Sequence, residues 1–373
     1  MIRRPLAPLW LSRPSRYATL STRAARLGLV LLAALILACF LALDTPGPPP
    51  VSHDPAKRAQ DQADVILYET IVDGVRHGGN YYTVAAEALR HGDYPLKPFV
   101  TFRLPTLAMA LAILPPWGMP LVLYLLVALA AIAWWRRLKP AFARGPPRII
   151  AMALLAGGLV VYAQADLAYF HEIWAGLFVA LSLAMRQRGR WVESVSLGLV
   201  AVLIRETAAP YLVIMAGLAL LEGQRREALL WIATMAILAI ALTLHADAVA
   251  RVVRPLDPSS PGWLGLLGFG HFVRTMSILT VLGIAPIWLA APLVGLALFG
   301  WSAWNEALAL RALALFAAYA AILGIFGRTD TFYWGLIAAP TILVGLAFAP
   351  DGLRDLFTAA LDKRRITVKR VVR

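Results

Sequence analysis

The chain has 373 residues, of which 60% are hydrophobic, and its mean hydropathy is +0.71. This apolar share exceeds the about 45–50% of soluble domains, so the composition excludes a soluble globular protein. The formal net charge of +14 comes from arginines and lysines clustered at the ends of apolar runs, where such residues set membrane orientation. That placement argues against nucleic-acid binding. The single cysteine, Cys39, excludes an intramolecular disulfide and a multi-cysteine zinc site.

Long apolar runs separated by short charged loops predict an all-α, polytopic integral membrane protein. Residues 1–26 contain six arginines and no acid, and an apolar run from about 27 to 43 follows them. We predict an uncleaved first span with residues 1–26 as a cytoplasmic basic N-terminus, because no A-x-A-like cleavage site precedes the proline-rich stretch at 46–50. The loop that begins at Asp44 then lies outside the membrane.

Residues 44–117 are predicted to form a large outer loop that carries catalytic residues. Its apolar part at 104–114 is shorter than the roughly 20 residues that a spanning helix needs. The next loop, 136–148, has five cationic residues and no acid, which places it in the cytoplasm and allows only one crossing after Asp44. We therefore predict a re-entrant helix at 104–114 and a second span at about 118–135.

The same charge rule predicts alternating spans in the rest of the chain. Residues 192–221 are interrupted by the polar residues 205–207, and we predict a tight hairpin of two short helices there. The result is about ten transmembrane helices in a membrane domain at 27–350, followed by a cytoplasmic basic tail at 351–373. The remaining predicted spans cover about 149–164, 171–185, 228–245, 276–300, 307–325 and 332–349.

This topology brings most of the chemically interesting polar side chains to the outer face. Ionisable residues at membrane depth, such as Arg205 and Glu206, are costly and often functional, although a structural ion pair between helices is the alternative. Arginines beside carboxylates suit an anionic lipid-linked substrate, because arginine binds phosphate and a carboxylate can accept a proton from an attacking hydroxyl. The outer polar residues include Asp61, Asp64, Tyr81, Tyr82, Arg103, Asp166, His171, Glu172, Arg205, Glu206, His271, Arg274, Arg328 and Asp330.

The sequence predicts no cofactor and no metal site; a divalent metal is compatible with the outer polar residues, but no motif supports it. His171 and Glu172 are adjacent, so on a helix they point about 100° apart, and no H-x-x-x-H spacing supports a divalent metal. The tyrosine pair at 81–82 suits either stacking against a sugar ring or packing onto Pro95 and Phe99. The sequence contains neither a phosphate-binding P-loop nor a Gly-x-Ser-x-Gly elbow, so nucleotide hydrolysis is not expected.

Four short motifs share one layout with a known group of membrane enzymes. They are an acid soon after the first span (Asp64 in DVILY, or Asp61), the segment Tyr94-Pro95 … Arg103-Leu104-Pro105-Thr106 before an apolar helix, an acidic second outer loop with Asp166 and Glu172, and Gly327-Arg328 before the last span. In this layout the chain resembles the GT-C superfamily of polytopic glycosyltransferases, which use polyprenyl-phosphate-linked sugars. Members often carry two adjacent acids in the first loop, whereas Asp61 and Asp64 are three positions apart.

The resemblance implies an inverting transfer of a sugar from a polyprenyl-phosphate donor to an acceptor hydroxyl on the outer face. Either Asp64 or Asp61 would be the base, and Asp64 is the preferred candidate. The remaining candidates would contact the substrate. The lipid phosphate would be held by Arg103, Arg205 and Arg328. The donor or acceptor would be positioned by Glu206, Asp166, His171, Glu172, Tyr81 and Tyr82.

The implied partners are the lipid-linked donor, membrane lipids and an acceptor that is a glycan, a lipid or a protein. The implied location is a bacterial inner membrane, with the active site facing the periplasm.

Two other functions fit the same residues. A transporter or flippase of an anionic lipid or lipid-linked sugar needs no base, but it needs polar residues along a path across the membrane, and the inner halves of the predicted spans are almost purely apolar. A non-catalytic partner in envelope-polysaccharide assembly is the third interpretation.

Overall fold

The structure, a computed structural model, describes residues 7–47 and 63–362. Within these ranges every regular element is an α-helix or a 3-10 helix, so the all-α prediction is confirmed. Four of the described helices are long and apolar enough to cross a membrane, which identifies a membrane-embedded protein. These four are Thr22–Leu43, Gly118–Ala141, Arg225–Ala250 and Ala307–Ile325.

Fifteen α-helices are numbered here in chain order within the described ranges. They are α1 (Thr22–Cys39), α2 (Ala63–Arg76), α3 (Tyr81–His91), α4 (Thr106–Ile113), α5 (Gly118–Leu138), α6 (Gly145–Leu159), α7 (His171–Met185), α8 (Val192–Ile204), α9 (Ala209–Leu221), α10 (Arg225–Ala250), α11 (Gly268–Ile278), α12 (Ile287–Ala303), α13 (Ala307–Ile325), α14 (Ala339–Ile342) and α15 (Ala349–Ala360).

Several helices coincide with predicted spans, but the number of spans remains a prediction. α7 and α13 have the predicted bounds, 171–185 and 307–325. The shorter apolar helices have at most 17 residues. At 1.5 Å per residue they rise no more than about 26 Å, less than the hydrocarbon thickness of about 30 Å. The predicted re-entrant segment forms the eight-residue helix α4, and its entry into the membrane is likewise still a prediction.

Two predicted spans are interrupted. The helix expected at 276–300 is divided into α11 and α12 by a break that ends at Pro286, whose ring cannot donate the hydrogen bond that a continuous helix needs. The helix expected at 332–349 is also broken, and the 3-10 helix Thr329–Ile337 makes an angle of 62° with the segment Ala339–Ala347. Pro340 lies in the first turn after this bend.

Four charged residues hold one end of the bundle together. Arg186, just after α7, forms ion pairs with Glu222 after α9 (2.7 Å) and with Glu227 in α10 (2.8 Å). Arg311 in α13 also binds Glu222, at 2.6 Å. We call these four residues the Arg186 cluster. Arg186 lies shortly before α8 and Glu222 follows α9, so the cluster holds the two ends of the stretch 192–221 at the same end of the bundle, as in the hairpin predicted there.

The N-terminal segment packs against the C-terminal helix α15. The backbone N–H groups of residues 9–11 donate to the buried carboxylate of Asp351 at 2.6 to 3.0 Å. Ser15 Oγ donates to Asp355 Oδ2 at 2.8 Å. Three successive backbone donors around one carboxylate satisfy a charge that would otherwise be costly to bury.

The predicted cytoplasmic regions at the two termini, 1–26 and 351–373, include the residues that form these contacts. The described residues include 7–26 of the predicted N-terminus and 351–362 of the predicted tail, most of which belongs to α15. Residues 1–6 and 363–373 lie outside the described residues. In the predicted outer loop 44–117, the described part forms α2, α3 and α4.

Candidate active site

A cavity of about 630 Å³ lies at the far end of α8 and α13 from the Arg186 cluster. Its volume falls within the range of about 300–1,000 Å³ that is usual for ligand pockets. The cavity collects side chains from α2, α3, the 95–103 segment, the turn after α8, the loop after α10 and the residues after α13. Its charged and polar lining includes Asp64, Tyr94, Arg103, Arg205, Glu206, Arg328 and Asp330.

Asp64 lies in the first turn of α2 and receives a hydrogen bond from Tyr94. The Tyr94 hydroxyl donates to Asp64 Oδ1 at 2.8 Å. Burial, and then the neighbouring carboxylate, raises the pKa of Tyr94, so the phenol stays protonated and acts as the donor. Among the described residues no arginine or lysine forms an ion pair with Asp64. Asp61, the other predicted base, lies outside the described residues.

Arg103 is held in the cavity by two tyrosines. Its Nε donates to the Tyr68 hydroxyl at 3.0 Å, and the Tyr81 hydroxyl donates to the Arg103 backbone carbonyl at 2.6 Å. No described carboxylate is paired with Arg103, and its two terminal nitrogens have no hydrogen-bond partner in the described part of the chain. The Arg103 guanidinium is therefore a fixed cation that is available to an anionic ligand.

Arg205 and Arg328 also line the cavity, but each is already paired with an acid. Arg205 donates to Glu172 and Glu206, and its side chain is only 2% exposed. Arg328 donates through two nitrogens to the carboxylate of Asp330. The structure thus separates the three arginines that the sequence treated alike, because only Arg103 lacks an acidic partner among the described residues.

The other predicted site residues occupy different places. Asp166 is exposed in a short 3-10 turn and does not line the cavity. His171 is buried behind the cavity with its ring centroid 5.0 Å from that of Tyr68. Glu172 is buried beside it and reaches the site only through Arg205.

The two adjacent tyrosines have different roles in the packing. Tyr81 lines the cavity, and its hydroxyl is bonded to Arg103, as described above. Tyr82 lies outside the lining, and its hydroxyl is 3.2 Å from Nδ1 of His245 in α10. Nε2 of His245 is 3.3 Å from the carbonyl oxygen of Phe102, so Tyr82 and His245 support the backbone next to Arg103.

Several aromatic residues of the cavity were absent from the predicted site. Tyr68 could have been found, because it follows Asp64 by four positions and therefore lies on the same face of α2. Tyr94 belongs to the Tyr94-Pro95 motif, which assigns no role to its hydroxyl. Trp263, Tyr333 and Trp334 come from distant segments, and no local pattern indicates them.

Within the described ranges, no three histidine, cysteine, aspartate or glutamate side chains are grouped so that they could hold a metal ion. No protein-family model, curated protein or solved structure matches this chain. Membership of the GT-C superfamily therefore remains a prediction.

Proposed function

We propose that this protein is a glycosyltransferase of a bacterial inner membrane. It moves a sugar from a polyprenyl-phosphate donor to an acceptor at the periplasmic face. One observation carries the proposal. Asp64 and Arg103 line the same cavity, and neither is paired with an oppositely charged side chain among the described residues. A base and an anion-binding cation are the two groups that this transfer needs.

The proposed reaction is a single displacement with inversion. Asp64 accepts the proton of the acceptor hydroxyl while the hydroxyl oxygen attacks the anomeric carbon of the sugar. The bond between that carbon and the phosphate oxygen breaks, and the lipid phosphate leaves with the electron pair. Arg103 favours this step to the extent that it binds the growing charge on the phosphate more tightly than it binds the donor.

The remaining lining supports this assignment. Tyr94 fixes the Asp64 carboxylate through one oxygen. Tyr68 and Tyr81 hold Arg103, which limits the reorganisation needed when charge develops on the phosphate. The aromatic rings of Trp263 and Tyr333 provide flat apolar surfaces of the kind against which a sugar ring packs.

The interior below the cavity favours an enzyme over a flippase. The buried side chains there are mainly large and apolar, including Trp134, Trp301 and Phe316. The Arg186 cluster closes the opposite end of the bundle with two arginines paired to two glutamates. An anionic lipid headgroup that crossed the membrane would need polar partners along its path.

The test is sugar transfer by the purified, reconstituted protein with a panel of radiolabelled polyprenyl-phosphate sugars. We expect transfer from at least one donor, and Asp64→Asn should abolish it. Glu69→Gln, on the exposed side of the same helix, should retain it. Wild-type transfer by Asp64→Asn would remove Asp64 from its role. Movement of the lipid across vesicles without any sugar transfer would identify a flippase instead.

A further inference from the structure

The segment 262–266, in which Trp263 lines the cavity, runs beside residues 325–328. Arg328 Nη1 donates to the Gly262 carbonyl at 3.1 Å, and the Leu266 N–H donates to the Ile325 carbonyl at 3.0 Å. Between these bonds the two backbones touch. A Cβ atom on Gly265 would lie only 1.8 Å from the Gly327 carbonyl oxygen, so Gly265 cannot be replaced without moving the segment.

Side chains along this segment alternate between the cavity and the outside. Trp263 lines the cavity. Leu264 and Leu266 point outward, and each is 68% exposed. Two nearby leucines are thus exposed on the outer side of the segment whose Trp263 lines the cavity.

Leu266 also has a backbone conformation that a leucine rarely adopts. Its φ is +51°, in the left-handed region that glycine or asparagine occupies readily and that a Cβ-bearing apolar residue disfavours. In water, the exposed leucine side chain would gain no free energy of burial to offset this unfavourable backbone conformation. Burial of the exposed leucine side chain in an apolar phase would offset the cost of the conformation.

The exposed leucines continue the apolar surface of a membrane-spanning helix. Ile325, bonded to Leu266, ends α13, and Phe326 follows it. The side chains of Ile325 and Phe326 are 43% and 47% exposed. Phe326 and Ile322 also line the cavity, so lipid-facing surface and cavity meet at this point.

We propose that Leu264 and Leu266 insert into the leaflet at the cavity end of the protein, so that the cavity mouth lies at the lipid surface. The lipid chain of the donor then enters between this segment and Phe326 while its phosphate reaches Arg103. The membrane contact stands on the exposure, the φ angle and the continuity with α13. The entry route rests in addition on the proposed function.

The test of the membrane contact does not depend on enzymatic activity. A nitroxide is attached to Leu264→Cys in a Cys39→Ala background, in vesicles of phosphatidylethanolamine and phosphatidylglycerol. We expect relaxation by oxygen to exceed relaxation by a water-soluble nickel chelate, as for a label at the exposed Leu244 of the candidate span α10. A label at His77, in the exposed turn after α2, should show the opposite ratio. Dominant relaxation by the nickel chelate at position 264 would overturn the proposal, because it would place the label in water. Weak relaxation by both oxygen and the nickel chelate would also overturn it, because it would show that protein covers the label.

The entry route is tested by comparing two donors. Leu266→Asn suits the left-handed backbone, so this variant should fold at least as well as the wild type. With a long-chain donor we expect kcat/KM to fall about tenfold, the scale expected for loss of one leucine contact. With a short-chain, water-soluble donor it should be unchanged. An equal fall with both donors would refute the route. If the wild type transfers no sugar from either donor, the proposed function fails, and the nitroxide result alone decides the membrane contact.

Discussion

The Tyr94 hydroxyl donates to Asp64 Oδ1 at 2.8 Å, across 30 residues of sequence. This bond connects the turn after α3 to the first turn of α2. Tyr94 follows Gly92 and Asp93, and Asp93 has a φ of +56° that turns the chain back toward α2. The candidate base is therefore oriented by a residue outside its own helix.

Tyr94→Phe tests this orientation. The ring remains and only the hydroxyl is lost, so the fold should be retained. A hydrogen bond to a charged group contributes about 1.5–3 kcal/mol, and we expect kcat to fall about tenfold or more. Tyr169→Phe is the matched control, because its hydroxyl bonds Glu69 outside the cavity at 3.3 Å. Equal activity of the two variants would show that Tyr94 does not position the base.

The three cavity arginines should differ in their contribution to donor binding. Of these three arginines, Arg103 alone has no acidic partner among the described residues, and we expect Arg103→Gln to lower kcat/KM about 100-fold or more. Arg328→Gln should cost less, because Asp330 already neutralises that charge. Binding of a polyprenyl phosphate without sugar should follow the same order. Comparable losses in both variants would show that the pairing with Asp330 is broken when the donor binds.

Glu172 should contribute to stability through its buried pair with Arg205. Both side chains are at most 2% exposed, so the loss of one partner leaves a poorly compensated charge in the interior. We expect Glu172→Ala to lower the free energy of unfolding by about 3–5 kcal/mol. Denaturation in detergent measures this, with exposed Glu193→Ala as the control. A variant as stable as the control would show that Glu206 alone satisfies Arg205.

The ion pair between Arg90 and Asp257 predicts a dependence of stability on pH. Arg90 Nη2 lies 2.7 Å from Asp257 Oδ2, and its hydrogen bonds hold the pKa of Asp257 below the ordinary value of 3.8. Because the folded-state pKa is lowered, the pair stabilises the fold above pH 3.8 and loses this effect only as the pH falls below that value.

Melting temperatures of the wild type and Asp257→Asn measure the effect of this pair. The wild type should be the more stable at neutral pH, and the difference should shrink in acid. A constant difference over the whole pH range would contradict the role of Asp257 ionisation. The pair links α3 to the loop after α10, so its loss in Asp257→Asn should weaken the contact between these two segments.

Composition and the lengths of the apolar runs were sufficient to predict the class of protein and most helix positions. Apolar length is a local property, and it located α7 and α13 at their observed bounds. The polar residues at 205–207 correctly indicated the break between α8 and α9. Hydropathy did not indicate the breaks before Ile287 and at the 62° bend, because a run that turns or stops has the same apolar composition as a straight helix.

Which charges are paired depends on how the helices pack against one another. Glu172 and Arg205 are 33 residues apart, and no local pattern shows that they meet. In the sequence Arg103, Arg205 and Arg328 are equivalent candidates for binding phosphate. Packing places carboxylates against two of them and tyrosines against the third, and this difference leaves Arg103 available to an anion. Distances between side chains on different helices arise from packing, which a linear pattern of residue types does not contain.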